Sequence, residues 1–279
     1  MVESPPPGMI RPRVSIIIVT CNRRQTLELC LRQLAAQTIG AAAFEALVVD
    51  DGSTDGTQAW LTGGSTPVRI VALSTGNPVE VFGVMRARNI GLLHARGGLV
   101  LFLDDDMILH TAALERMLAA HDRWRSRGHE VAVRGWFGQR RKKGPLRLWL
   151  RGLSLSRYRQ GRELRRSARF QGLVGARDDL DVRQVPIGML SLPLAAARAV
   201  DGFLEQGKVY GMDYEFQERL RAIAGIRFVF EPGAYGLHGP LPGDMTNTSY
   251  RRPQQEIPGG PRVGLSSYEG QDPGRFLLS

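Results

Sequence analysis

The stretch Gly97-Gly98-Leu99-Val100-Leu101-Phe102-Leu103-Asp104-Asp105-Asp106 constrains the fold more than any other. Five apolar residues run without alternation behind a Gly-Gly breaker, the pattern of a strand buried on both faces, as in parallel α/β sheets. Three acids then follow directly. Adjacent carboxylates repel one another, so a buried strand ending on them calls for a compensating positive charge, and a hard divalent cation with oxygen ligands supplies one. In open α/β sheets, ligands bind just beyond the carboxyl ends of the strands. A plainer reading of the same residues is a polar turn capping the next helix through Asp106 or Thr111.

The chain before this stretch alternates in the same sense. Val14–Val19 is a β-branched run and predicts a buried strand; Leu27, Cys30, Leu31 and Leu34 recur at helical spacing. Phe44–Val49 predicts a second strand, ending in Asp50-Asp51-Gly52-Ser53-Thr54-Asp55-Gly56, with a short helix around Gln58–Leu61 capped by Asp or Ser. Val68–Leu73 reads as a third strand, Gly83–Ala95 as a helix, and Thr111–Trp124 as the helix after the acid triplet. This order is that of a doubly wound α/β fold, a mostly parallel twisted sheet flanked by helices. There is no G-x-G-x-x-G after the first strand and no Walker-type phosphate loop, so neither a dinucleotide fingerprint nor a P-loop enzyme is indicated.

Charge narrows the partners. The 279 residues carry a net +10, but the segment Arg134–Arg169 alone holds thirteen Arg or Lys against one acid, Glu163. The basicity therefore belongs to an insert, about 138–183, while the chain outside Arg134–Arg169 is slightly acidic. Leu146, Leu148, Trp149, Leu150 and Leu153 interleave with its bases, which suits an anionic membrane surface or an anionic acceptor. No recognised module frames this charge for nucleic acid. A solvated face that aids solubility is the bland alternative. The Pro-rich segment 1–13 lacks the apolar core of a secretory signal, no run reaches the ~20 apolar residues of a membrane span, and two cysteines make no disulfide framework. The expected location is cytoplasmic, with a peripheral position at the inner membrane face where the insert binds lipid.

The pieces VSIIIVTCN, VVDDGSTDGT, ARNIG and FLDDD, in that order and spacing over Val14–Asp106, resemble the nucleotide-binding half of family-two glycosyltransferases. The resemblance implies the glycosyltransferase A-type (Rossmann-like) fold. It implies that Thr20, Asn22 and Asp51 help hold a nucleoside and that Arg88 and Asn89 lie near the nucleotide and its phosphates. It also implies that Asp104-Asp105-Asp106 is the family's D-x-D element, with Asp104 and Asp106 toward a metal and its diphosphate and Asp105 toward the ribose. Cys21 stands where the family usually has Tyr, which removes an aromatic surface near the base.

In the second half, Glu130–Phe137 predicts a strand, Leu194–Val200 a helix, and Ile226–Phe230 a final strand. Phe216, Leu220 and Ile223 share one helical face, and Asp213 falls in or before that helix's first turn. The family's motif there is Glu-Asp with Asp the catalytic base; Asp213 matches it, Met212 replaces the Glu, and Glu215 is the acidic alternative two residues on. Met189 replaces an Asn that faces donor sugar and acceptor in the family, and Leu204 replaces an Asp. The family often has a His near His238, close to metal or diphosphate, and a neutral imidazole is a plausible ligand.

The expected organisation is a flexible 1–13, one domain over 14–238 (a nucleotide-sugar half, 14–110, and an acceptor half, 111–238), and a Pro/Gly-rich tail or lid over 239–279. The expected activity is a metal-dependent inverting transfer, with Mn2+ or Mg2+ as cofactor, from a nucleotide-diphosphate sugar (a UDP-sugar) to an acceptor hydroxyl. A nucleotidyltransferase on a similar sheet and a non-catalytic scaffold working through the basic insert are the alternatives.

Overall fold

The computed structural model describes residues 11–78, 83–139, 180–181, 185–205, 212–239 and 263–278. Most of the basic insert lies outside them. The elements are β1 (Val14–Thr20), α1 (Arg24–Ala35), β2 (Phe44–Asp50), α2 (Thr57–Thr62), β3 (Ile70–Ser74), α3 (Val84–His94), β4 (Leu99–Asp104), β5 (Met107–Leu109), α4 (Ala113–Arg125), β6 (Val131–Gln139), β7 (Met189–Pro193), α5 (Leu194–Ala199), α6 (Met212–Ala222) and β8 (Arg227–His238), followed by 3-10 turns at Leu265–Tyr268 and Pro273–Phe276.

The eight strands form one sheet in the order β3-β2-β1-β4-β7-β6-β8-β5. β1 pairs in parallel with β2 and β4, and β2 with β3, so their carboxyl ends share one rim. β7 runs antiparallel between β4 and β6. Successive side chains of β1 and β2 point to opposite faces, and both faces are apolar: Ile17, Leu47 and Val49 join one core, Ile16, Ile18 and Val48 the other. That is why these runs do not alternate. Helices cover both sides, α3, α5 and α6 over the first core, and α1 and α4 over the second.

Two strands have no counterpart in the sequence reading. β5 has three residues and follows the acid triplet through a turn; β7 starts directly after the Pro186-Ile187-Gly188 segment, whose Gly and Pro mask strand periodicity. Ile223 is a correction: it is 65% exposed, past the end of the buried face formed by Phe216 and Leu220. The predicted tail is folded where it is described, because Leu265, Tyr268 and Phe276 are buried in the first core and Leu277 bridges to Leu73. No helix among the described residues is long and apolar enough to cross a membrane.

Candidate active site

Thr20, Asp50, Thr75 and Asp104 stand at or just past the carboxyl ends of the four parallel strands, β1 to β4 in sheet register. Asp51 is buried there. Its Oδ1 accepts from Thr75 Oγ1 (2.9 Å) and Asn77 Nδ2 (3.0 Å), and its Oδ2 from the Gly83 N–H (2.7 Å). It thus ties the ends of β2 and β3 to the start of α3. A Cβ on Gly83 would stand 2.5 Å from Asp51 Oδ1, so only glycine allows this approach. Asn22 has a positive φ of 52°, a conformation Asn tolerates, and its Oδ1 accepts from Thr54 N–H at 2.6 Å. Thr20, Asn22 and Asp51 are therefore brought to one rim.

The acid triplet divides its labour. Asp105 turns inward: its Oδ2 accepts from Thr20 Oγ1 at 2.8 Å and its Oδ1 from Arg23 at 2.6 Å. Both Asp105 oxygens are thus bonded by protein donors, as both Asp51 oxygens are. Burial, outweighing the Arg23 charge, pushes this carboxyl up to about 7. Arg23 forks to Asp106 Oδ2 as well, at 2.8 Å. Asp106 Oδ1 faces His238 Nε2 at 3.2 Å, and Asp104 Oδ2 faces the same nitrogen at 3.4 Å. Burial alone would raise Asp106, but hydrogen bonds and charge from His238 and Arg23 hold it below the usual carboxylate range. Burial likewise opposes charge on His238, yet its bonds to Asp104 and Asp106 prevail and push it up to about 10.

His238 reaches the triplet because β5 pairs antiparallel with β8 in the register Met107↔His238. One oxygen each from Asp104 and Asp106 and one nitrogen from His238 lie within 4.8 Å of one another. Two carboxylates and an imidazole suit a divalent cation such as Mn2+. With no cation, a protonated His238 supplies the compensating charge, so metal binding here competes with a proton. Gly188 closes the same corner: a Cβ there would lie 1.9 Å from Asp104 Oδ2.

Across the first core, Arg88 of α3 grips Asp213 of α6, Nη1 to Oδ1 at 2.5 Å, and its guanidinium lies 5.3 Å from the Phe203 ring centroid. Asp213 stays one-third exposed in the first turn of α6 and leaves Oδ2 open among the described residues. Glu215 is instead consumed by Arg219, at 2.5 and 2.8 Å. Asn89 is fully buried and bonds Phe203 N–H and C=O and Glu205. Met189 is also a correction. Its side chain is buried in the second core against Gly135, not turned toward a sugar.

Sequence reasoning missed Arg23, Gly188, Thr75 and Asn77. Arg23 carried one usable signal, a base three residues beyond the β1 terminus in a sheet whose neighbouring strand ends in acids.

Residues 15–177 match the sequence model of the family described as "Glycosyl transferase family 2". The chain is 35% identical over 105 residues to the glycosyltransferase AglE of Haloferax volcanii, covering 38% of this chain and 34% of AglE. It is 34% identical over 110 residues to the validoxylamine A glucosyltransferase of Streptomyces hygroscopicus subsp. jinggangensis, covering 39% and 26%. The matched stretches thus span about a third or less of those relatives. Among solved structures, S. aureus TarS 1-349 in complex with UDP superposes with a TM-score of 0.59 at 18% identity, covering 84% of this chain and 62% of that one. The mannosyltransferase PcManGT from Pyrobaculum calidifontis, in complex with GDP-Man and Mn2+, gives 0.55 at 20% identity, covering 82% and 57%. At these identities the likeness is one of fold.

Proposed function

Since the chain belongs to glycosyl transferase family 2, as its match over residues 15–177 establishes, we propose that it moves a sugar from a nucleotide-diphosphate sugar, a UDP-sugar, to an acceptor hydroxyl with inversion. The Asp104–Asp106–His238 cluster carries this reading, a ready cation site at the strand-end rim where such folds bind ligands. UDP and GDP-Man with Mn2+ in the solved relatives support a nucleotide-sugar donor and a divalent ion.

A divalent cation held by Asp104, Asp106 and His238 would offset the charge of the departing diphosphate. The residues supply the rest. Thr20, Asn22 and Asp51 would hold the nucleoside, and Arg88, paired with Asp213, would take the donor phosphates on its remaining donors. Asp213 Oδ2 accepts the proton of the acceptor hydroxyl as its oxygen bonds to the anomeric carbon; the bond from that carbon to the diphosphate oxygen breaks, and its electron pair leaves with the diphosphate. Arg88 holds Asp213 Oδ1 meanwhile, so that the carboxylate presents one fixed oxygen. Asp105 acts as a brace for Thr20 and Arg23.

The acceptor is proposed to be anionic or membrane-borne, on the strength of the thirteen bases against one acid in the segment Arg134–Arg169. Retention on anionic liposomes at low salt, lost at high salt, supports that; indifference to lipid charge removes it. The activity itself is tested by thermal shift against nucleotides and nucleotide sugars with and without Mn2+, then by Mn2+-dependent nucleotide-sugar hydrolysis in wild type and Asp106→Asn. Stabilisation by one nucleotide and hydrolysis lost in the variant are expected. Release of diphosphate from a nucleoside triphosphate would point to a nucleotidyltransferase instead.

A further inference from the structure

The C-terminal segment grips the site from outside. Ser266 donates its backbone N–H to Asp201 Oδ1 at 2.6 Å and its hydroxyl to Oδ2 at 3.0 Å. The Leu265 N–H donates to the Asp201 carbonyl and the Glu205 N–H to the Val263 carbonyl, both at 2.9 Å. The Tyr268 hydroxyl donates to Glu205 Oε1 at 2.5 Å, the oxygen that also accepts from Asn89 Nδ2 at 2.8 Å. The loop held this way, residues 201–205, opens with Asp201 and Gly202 at φ +63 and +62. An aspartate in the left-handed region persists only where its surroundings hold it. Here Asn89 holds the loop from within, while Ser266 and Tyr268 hold it from without.

What the loop carries is Phe203. Its ring stacks on Phe216 of α6 with centroids 4.0 Å apart and lies beneath the Arg88 guanidinium. Arg88 in turn fixes Asp213. A continuous path of contacts thus runs from the chain's last turns to the proposed base, through residues far apart in sequence.

We propose that residues 263–268 form an outer clasp that positions the Arg88–Asp213 pair through Phe203, with Tyr268 and Ser266 as positioning residues. This rests on the assignment of Asp213 as base. Loss of the clasp frees Glu205 and Phe203, and with Phe203 its contacts to Phe216 of α6 and to Arg88, so the carboxylate samples orientations that do not meet the acceptor oxygen.

The test uses Tyr268→Phe, which keeps the ring packed edge-on against Phe276 at 5.8 Å and deletes only the hydroxyl. Ser266→Ala is the second variant, and Leu118→Ala, a cavity in the opposite core, is the control for general destabilisation. Hydrogen–deuterium exchange over residues 212–222 and the kcat and KM of Mn2+-dependent nucleotide-sugar hydrolysis are read well below the melting temperature. Expected are faster exchange over 212–222 and kcat down about tenfold with KM within about twofold, in both clasp variants and not in Leu118→Ala. Unchanged exchange over 212–222 overturns the clasp. Faster exchange with unchanged kcat overturns its positioning role. Absence of any turnover by the wild type would sink the functional reading, while the exchange measurement would still decide whether the clasp holds α6.

Discussion

Replacing Arg23 with Met should expose how the acid triplet is held together. The Arg23 side chain is 10% exposed and forks across Asp105 and Asp106, themselves 4% and 0% exposed, at 2.6 and 2.8 Å. Removing one partner of a buried ion pair costs about 3–5 kcal/mol, because the other charge is left uncompensated. Here two carboxylates lose it, but Asp106 keeps His238, and Asp105, already up at about 7, escapes by taking a proton. The loss should therefore sit near the lower end, about 3 kcal/mol at pH 8.5, or a melting-temperature drop of about 6–12 °C for a domain of this size. The sign with pH follows. Without Arg23 the folded-state pKa of Asp105 rises further above its unfolded value and that of Asp106 climbs from below its own, so the variant's folded form binds more protons than the wild-type folded form does. Its deficit against wild type should grow as pH rises and shrink toward pH 5.5. Thermal melts followed by circular dichroism at pH 5.5, 7 and 8.5 measure this, and Asp105→Asn combined with Arg23→Met should recover more than about 1 kcal/mol of non-additivity. A loss under about 1 kcal/mol that is the same at every pH would mean that the fork does not carry buried charge, and the reasoning would fail.

Other outcomes are open to measurement. Gly188→Ala would drive a methyl into the Asp104 carboxylate, so Mn2+ affinity should fall about 10–100-fold while the fold survives; Mn2+ titration by calorimetry reads it, and wild-type affinity would remove Asp104 from the cation site. Asp213→Asn should cut transfer or hydrolysis by about 10²–10⁴-fold and leave nucleotide-induced thermal stabilisation unchanged; a smaller loss moves the base elsewhere. His121 is buried, donor or acceptor to Ser191 Oγ at 2.6 Å, and burial first, then the Arg125 charge, pulls it down to about 3. Its folded pKa lies below the unfolded value, so the stability it contributes is present above about 6.5 and fades as pH falls toward 3. Between pH 6.5 and 5, urea midpoints should show wild type losing about 2 kcal/mol more than His121→Asn, and parallel losses would mean the ring is protonated in the native state.

How much of this was legible depended on the range of the interaction. Strands buried on both faces announce themselves locally, which is why β1, β2 and β4 and their terminal acids could be read from apolar runs such as Leu99–Leu103. Asp213 at a helix start was legible for the same reason. Partners were not. Asn89 follows Arg88 in the chain, yet the helix turns them apart, one toward Asp213 and the other into the backbone of Phe203. Met189 reads as a substituted pocket residue until β7 is known to pair with β4 and to send that side chain into the core. Arg23 and Gly188 act on the acid triplet across more than eighty positions of sequence, and no periodicity encodes that.

The short pairing of β5 with β8 has a wider consequence. It brings the last strand of the sheet against an acid pair more than a hundred residues earlier, so the cation site comes into being only when the edge of the sheet has closed. A bound ion would then act as a rivet between early and late parts of the chain. Stripping it with a chelator should loosen residues 227–238 before any other strand, and Mn2+ should slow the reopening of that edge.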